Sequence, residues 1–321
     1  MRIRTALTDL FQLDHPIVLA PMGGASGGEL AAAVSNAGGL GLLGGAYGHL
    51  ASLRNELDIV KSTAKRKWGV GLITWRAGDE ALRLALSYQP DAFFLSFADP
   101  AKFSDRIKAA GCVLICQAQD VASALQAKEA GADLIVAQGT EAGGHGCAAR
   151  STLPLVPAII DAVSPTPVLA AGGIADGRGL AAVLALGAAG AVIGTRFCAT
   201  VEALLPQTAK DRLLRAKSGD TVRTRIFDEA AGLNWPAGYT GRALRNRFFE
   251  EWDGRSEELR NDEIARTTYR ASQQSEDYDS AAIWAGEAVD LISGLPAAGD
   301  LVETIGRQAA EELSRLSNLM R

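Results

Sequence analysis

Cysteine, histidine and aromatic side chains are scarce in this chain of 321 residues, which has four Cys, three His and 6% Phe, Trp and Tyr. Four thiols over such a length are too few for a disulfide framework, and no zinc-ligand spacing occurs among them. They are expected to be reduced thiols. Cys112 and Cys116 in "CVLIC" fall at strand spacing on one face, as buried apolar side chains would. An excess of positive charge is also absent, the formal net charge being −5. The chain therefore lacks the electrostatic footprint of a nucleic-acid or anionic-membrane binder, and the short basic run "KSTAKRKW" is expected to be a solvated helix end. The uncharged apolar run Gly179 to Gly194 is shorter than the roughly 20 apolar residues that span a bilayer. Before Asp9 the start "MRIRTALTDLF" has no apolar stretch of the secretory kind, so the expectation is a cytoplasmic protein beginning at Met1.

Apolar residues and glycine are abundant, at 48% of the chain and 35 residues respectively. Short runs rich in Val, Ile, Leu and Phe recur eight times: "PIVLAPM", "GLGLLGG", "WGVGLITW", "DAFFLSF", "CVLICQA", "DLIVAQG", "PVLAAGG" and "GAVIGTR". Between them lie amphipathic stretches such as "DVASALQAKEAGA". Near-continuous apolar strands alternating with helices suit a parallel sheet buried on both faces, and eight such units close a barrel. The expected class is α/β, a TIM (β/α)8 barrel over residues 1–200. After about residue 200 the alternation gives way to a charged, aromatic, helix-forming stretch, expected to be a mainly helical cap or substrate subdomain over 201–290. Residues 291–321, with helical periodicity in "AAGDLVETIGRQAAEELSRL", are expected to pack back on the barrel. Trp235, Trp252, Trp284, Tyr239, Tyr269 and Tyr278 all fall late in the chain, either lining a cleft over the barrel or forming the cap's own core.

Reactive groups of such barrels sit on the loops that follow the strands. The sixth loop, "QGTEAGGHG", is rich in glycine and carries His145, suited to act as general base, proton donor or hydrogen-bond donor to an anion. Metal binding is not expected, since His15 and His49 lie far away in sequence. Cys147 is too close along the loop to face His145 dependably, and no lysine ends a strand as a Schiff-base site requires, Lys102 coming nearest. Glu141 suits either a structural bond within the loop or a functional one. "GLGLLG", Gly39 to Gly44, matches a dinucleotide fingerprint but lies within a strand, with no helix opening from it. More telling are "AAGGIADGRG" and "AVIGTRF" after strands seven and eight, where barrels bind phosphate through backbone N–H groups. Gly172, Gly173, Gly194 and Thr195 form the expected phosphate site, with Arg178 and Arg196 as nearby cations.

In order along the chain, "LAPMGG", "GLGLLGG", "QGTEAGGHG", "AAGGIADGRG" and "GTRF" resemble the nitronate monooxygenases, formerly 2-nitropropane dioxygenases. The likeness covers about residues 15–200 and a later stretch, "GEAVDLISGLPAAGDLVE". It implies bound FMN, with Ala20, Pro21 and Met22 against the isoalloxazine, Gln117 and Gln138 near the flavin or its ribityl chain, and Gly143 and Gly144 beside the ring. It further implies that Gly172, Gly173, Gly194 and Thr195 hold the phosphate and that His145 is the catalytic residue, handling the α-proton of a nitroalkane or orienting a nitronate. Dioxygen and a nitronate or nitroalkane would be the small-molecule partners, with a carbonyl compound and nitrite as products. Two departures stand out: some members carry Asn where this chain has Gly71, and some relatives carry Lys at Gln117. Related flavin barrels reduce quinones or enoyl thioesters with NAD(P)H. A flavin- or phosphate-binding module without turnover and a flavin-free barrel acting on a sugar phosphate are the remaining alternatives.

Overall fold

A computed structural model describes residues 2–45, 47–147, 150–217 and 219–320; Met1, the expected start, lies outside them. Eleven strands are numbered along the described chain: β1 (Ile17–Leu19), β2 (Gly41–Gly44), β3 (Trp68–Ile73), β4 (Ala92–Ser96), β5 (Val113–Ala118), β6 (Leu134–Gln138), β7 (Gly144–Gly146), β8 (Val168–Ala171), β9 (Gly190–Ile193), β10 (Thr221–Thr224) and β11 (Thr240–Leu244). Each of the eight apolar runs forms a strand. They pair in parallel in the order β1-β9-β8-β6-β5-β4-β3-β2. A bridge between Val18 and Leu40 closes the ring, with Leu19 N–H donating to the Leu40 carbonyl and Leu40 N–H to that of Ile17, both at 2.9 Å. The molecule is thus a (β/α)8 barrel.

Alternation along each strand divides the core into two shells. Val18, Leu42, Phe94, Ile115, Val136 and Leu169 point into the barrel. Their neighbours Ile17, Leu19, Leu43, Phe93, Leu114 and Ile135 pack outward against the helices. With both faces buried, neither position tolerates a charge, which is why these strands read as unbroken apolar runs. Leu7, Phe11 and Leu13 join the inner shell, so the N-terminal helix Ala6–Phe11 plugs one end of the barrel. A capping box fixes the start of that helix: Thr8 N–H donates to the Thr5 hydroxyl at 3.3 Å and Thr5 N–H to the Thr8 hydroxyl at 2.8 Å.

Beyond the barrel come the helices Gln207–Arg215, Ile226–Ala231, Arg247–Trp252, Ser256–Asn261 and Glu263–Gln274. Between them β10 and β11 form an antiparallel ribbon, and β11 also pairs with β7. The loop after β6 therefore leaves the barrel mouth to become the edge strand of a second, three-stranded sheet. Among the described residues no helix is long and apolar enough to cross a membrane.

The last long helix, Ala298–Ser317, buries Leu301, Val302, Ile305 and Ala309 in the outer shell, beside the helix Gly177–Ala185. It lies directly on His15, where a Cβ added at Gly306 would come 2.0 Å from Nδ1. Burial lowers the pKa of His15, Asp14 and Glu303 opposing that shift. Between the ordinary value of about 6.5 and the lowered native one, the unfolded chain binds more protons, so stability falls as the pH drops through that window. His15→Gln is expected to flatten this component, seen as a smaller loss of unfolding free energy between about pH 7 and 5 in denaturant titrations. An unchanged slope would show that His15 is not the group responsible.

Candidate active site

A cavity of about 490 Å³ opens at the C-terminal ends of the barrel strands. The fold brings all twelve residues expected at the site to its wall: Ala20, Pro21, Met22, Gln117, Gln138, Gly143, Gly144, His145, Gly172, Gly173, Gly194 and Thr195. Leu72, Ile73, Phe94, Val136 and Val192 make much of the remaining wall apolar. Gly71 leaves room for Pro21, because a Cβ there would lie 2.2 Å from the Pro21 Cβ. A side chain such as Asn at position 71 is therefore incompatible with this placement of Pro21.

The residues that follow β8 and β9, Gly172, Gly173, Gly194 and Thr195, line the cavity. Gly172 and Gly173 take φ of +104° and +72°, conformations that L side chains rarely adopt. Among the described residues, the N–H groups of Gly172, Gly173, Gly194 and Thr195 donate to no backbone carbonyl. Such unspent donors suit an anion with several acceptor oxygens. The Thr195 hydroxyl accepts from Gly286 N–H at 2.9 Å, leaving its own hydrogen to donate. Arg196 is buried and donates to the Ala199 and Gly294 carbonyls at 3.1 and 3.3 Å, whereas Arg178 is tied to its neighbour Asp176 on the surface.

Three glutamines hold the loop that carries His145. The Gln138 side-chain carbonyl accepts from the Gln117 amide and, at 2.8 Å, from that of Gln119, while its own amide donates to the His145 carbonyl at 3.1 Å. Gln119 in turn accepts from Cys147 N–H at 3.3 Å. From the other side, Arg223 reaches the Gly146 and Thr240 carbonyls at 3.1 and 2.9 Å and those of Thr140 and Ala142 at 3.3 and 3.4 Å. Burial and the neighbouring Arg242 push the Arg223 pKa down to about 10, which leaves the guanidinium charged at neutral pH. Arg242 adds a bond to the Thr140 carbonyl at 3.0 Å and an ion pair with Glu287 at 2.8 Å. Glu141 accepts from Thr152 N–H at 2.9 Å, anchoring the loop's start to the following helix.

His145 Nε2 lies 2.9 and 3.0 Å from the two carboxylate oxygens of Asp228, a residue of the helix Ile226–Ala231. The imidazole stacks on Trp235 at 3.7 Å with 8° between the planes, and Trp284 lies 4.7 Å away at 49°. Phe97 packs edge-on to Trp235 and Tyr239 at 5.1 and 5.7 Å. Its φ of 62° is a left-handed conformation that is costly for a bulky residue, and it places the ring beside the site. The late aromatics thus divide. Trp284 and Tyr278 line the cavity, Trp235 stacks on the imidazole with Tyr239 packed against it, and Trp252 and Tyr269 are buried in a separate apolar cluster with Phe227, Phe248 and Phe249. Cys147 does not partner His145, and burial raises its pKa, which disfavours a thiolate nucleophile. Lys102 donates to the Thr74 and Ala77 carbonyls at 3.0 and 2.9 Å. Among the described residues no group of three or more His, Cys, Asp or Glu side chains is placed to hold a metal ion.

Asp228, Gln119 and Arg223 were not anticipated from the sequence. Gln119 had a local signal, standing two residues after Gln117 on the same side of the chain at the end of β5. Asp228 and Arg223 had none.

Barrel and cavity together leave room for a sizeable ligand at the strand ends, and the comparisons with known proteins make the class an oxidoreductase. The nitronate monooxygenase family profile matches residues 4–81 and 73–308. A nitronate monooxygenase of Neurospora crassa is 32% identical over 348 residues, covering 94% of this chain and 91% of that one. A (3aS,4S,5R,7aS)-5-hydroxy-7a-methyl-1-oxo-octahydro-1H-indene-4-carboxyl-CoA dehydrogenase of Mycobacterium tuberculosis is 38% identical over 260 residues, or 80% of this chain and 70% of its own. FabK of Thermotoga maritima superposes with a TM-score of 0.85 at 30% identity, over 99% of each chain. The chain belongs to the nitronate monooxygenase family, whose members are flavin-dependent.

Arg223→Met would strip the Thr140, Ala142, Gly146 and Thr240 carbonyls of a shared donor. The expected loss is at least about 2 kcal/mol of unfolding free energy, with faster protease cleavage within residues 138–150. Wild-type cleavage kinetics in that variant would show that the glutamines, Arg242 and the β7 pairing hold the loop without Arg223.

Proposed function

We propose that the chain is an FMN-dependent nitronate monooxygenase, converting an alkyl nitronate or nitroalkane and dioxygen to a carbonyl compound and nitrite. The observation that carries this is His145, tied to a buried carboxylate on the wall of a mainly apolar cavity. The cavity also fits FMN. Pro21, Met22, Phe94 and Val136 offer apolar surface for a planar ring system, and the unspent N–H groups of Gly172, Gly173, Gly194 and Thr195 suit its phosphate. When bound, FMN supplies the electron transfer that the protein's own side chains cannot perform.

The protein's task is to bind and orient the substrate and to move a proton. His145 accepts the acidic α-proton of a neutral nitroalkane, or donates a hydrogen bond to the oxygens of a nitronate already formed. Gln138 and Arg223 hold its loop in register, and Trp235 and Trp284 keep the ring from swinging out. A second reading, reduction of a quinone or enoyl thioester by NAD(P)H, draws support from the Mycobacterium tuberculosis relative, whose name is that of a carboxyl-CoA dehydrogenase.

An anaerobic visible spectrum separates the two. The protein as purified is expected to show a flavin spectrum that ethylnitronate bleaches and NADH leaves unchanged; bleaching by NADH alone would move the activity to the reductase class. His145→Asn is expected to retain bound flavin while nitronate turnover falls by about 100-fold or more. Turnover equal to wild type would remove His145 from its role.

A further inference from the structure

We propose that Asp228 is a positioning residue that fixes His145 as the Nε2–H tautomer, leaving the Nδ1 lone pair as the proton-accepting atom at the cavity. The proposal rests on the reading of His145 as the group that moves the substrate proton. Both Asp228 oxygens lie within 3.0 Å of Nε2, and the two side chains are only 4% and 11% exposed. An ionised carboxylate can only accept, so the nitrogen facing it carries the hydrogen. In a neutral imidazole the other nitrogen then bears a lone pair. Among the described residues Nδ1 has no protein hydrogen-bond partner, it is not among the fully occluded polar atoms, and His145 lines the cavity.

The surroundings hold this orientation. His145 is paired with Gly241 in the ladder of β7 and β11, and its carbonyl is held by Gln138. Gly241 lets Trp284 close over the ladder, since a Cβ there would lie 2.2 Å from the indole. Trp235 covers the imidazole face at 3.7 Å. Tyr47 and Tyr269, the phenols that feel the charge of Asp228, have their pKa values raised by burial and stay neutral. Among the described residues His145 is the one ion-pair partner of Asp228.

The proton step balances without a further reactant. The substrate C–H bond breaks, its electron pair remains on the substrate as the C=N bond of the nitronate, and Nδ1–H forms. Asp228, still an acceptor at Nε2–H, then faces an imidazolium.

Histidine labelled with 15N throughout the full-length protein tests this directly, because only His15, His49 and His145 contribute signals. Long-range 1H–15N correlation above about pH 8, where an ordinary imidazole is neutral, reports the tautomer, and a His145→Gln spectrum assigns the peaks. The expected result is a His145 pattern with Nε2 protonated and Nδ1 bare. In Asp228→Asn that pattern should shift, and kcat for a neutral nitroalkane should drop by about 100-fold with KM little changed. A neutral wild-type His145 protonated at Nδ1 would overturn the proposal, as would an Asp228→Asn protein with wild-type His145 shifts. Should that variant not fold, the wild-type tautomer alone decides. The spectra do not depend on which substrate is turned over, so a failed nitronate assay would leave the tautomer result standing.

Discussion

The pairing of β7 with β11 is the constraint on which the site depends. A loop with glycines at positions 139, 143, 144 and 146 has little conformational preference of its own. Left as a barrel loop, it would place His145 over many positions. Drawn into a sheet and supplied with donors by Arg223 and Arg242, it holds the imidazole in register with Gly241 and within reach of Asp228. The glycines let the backbone pass close to the cavity, and the arginines restore the rigidity that they remove.

The barrel was legible in the sequence for one physical reason. Parallel strands covered on both faces must be apolar at successive positions, so β1 to β6, β8 and β9 announced themselves as runs of Val, Ile, Leu and Phe. His145 and the glycine pairs after β8 and β9 were legible because scarce or conformationally special residues stood at strand ends. In contrast, β10 and β11, "TVRT" and "TGRAL", carry arginines and small polar residues over four and five positions, too short and too mixed to show periodicity. Their arginines look like solvated surface until the loop carbonyls they serve are in place.

Asp228 was hidden for a related reason. It stands in the first turn of a six-residue helix, where acidic residues are common simply because they suit the positive end of a helix. Its role comes from meeting a residue 83 positions earlier, and no local pattern encodes such a contact. Gly71 shows the reverse case. The departure from Asn was visible along the chain, but only the approach of Pro21 gives it a cause, a trade of a polar contact for closer packing at the cavity wall.

Because the three-stranded sheet joins residues 144–146 to 221–244, and residues 284–286 close over them, the site is assembled from segments far apart in the order of synthesis. Loop closure over such distances comes late, after local helices and hairpins have formed. A ribosome-bound chain that has exposed all eight barrel strands still lacks Arg223, Asp228 and Trp284, and the helix that covers His15 emerges later than these. Completion of the cavity wall thereby waits for residues as late as 284–288.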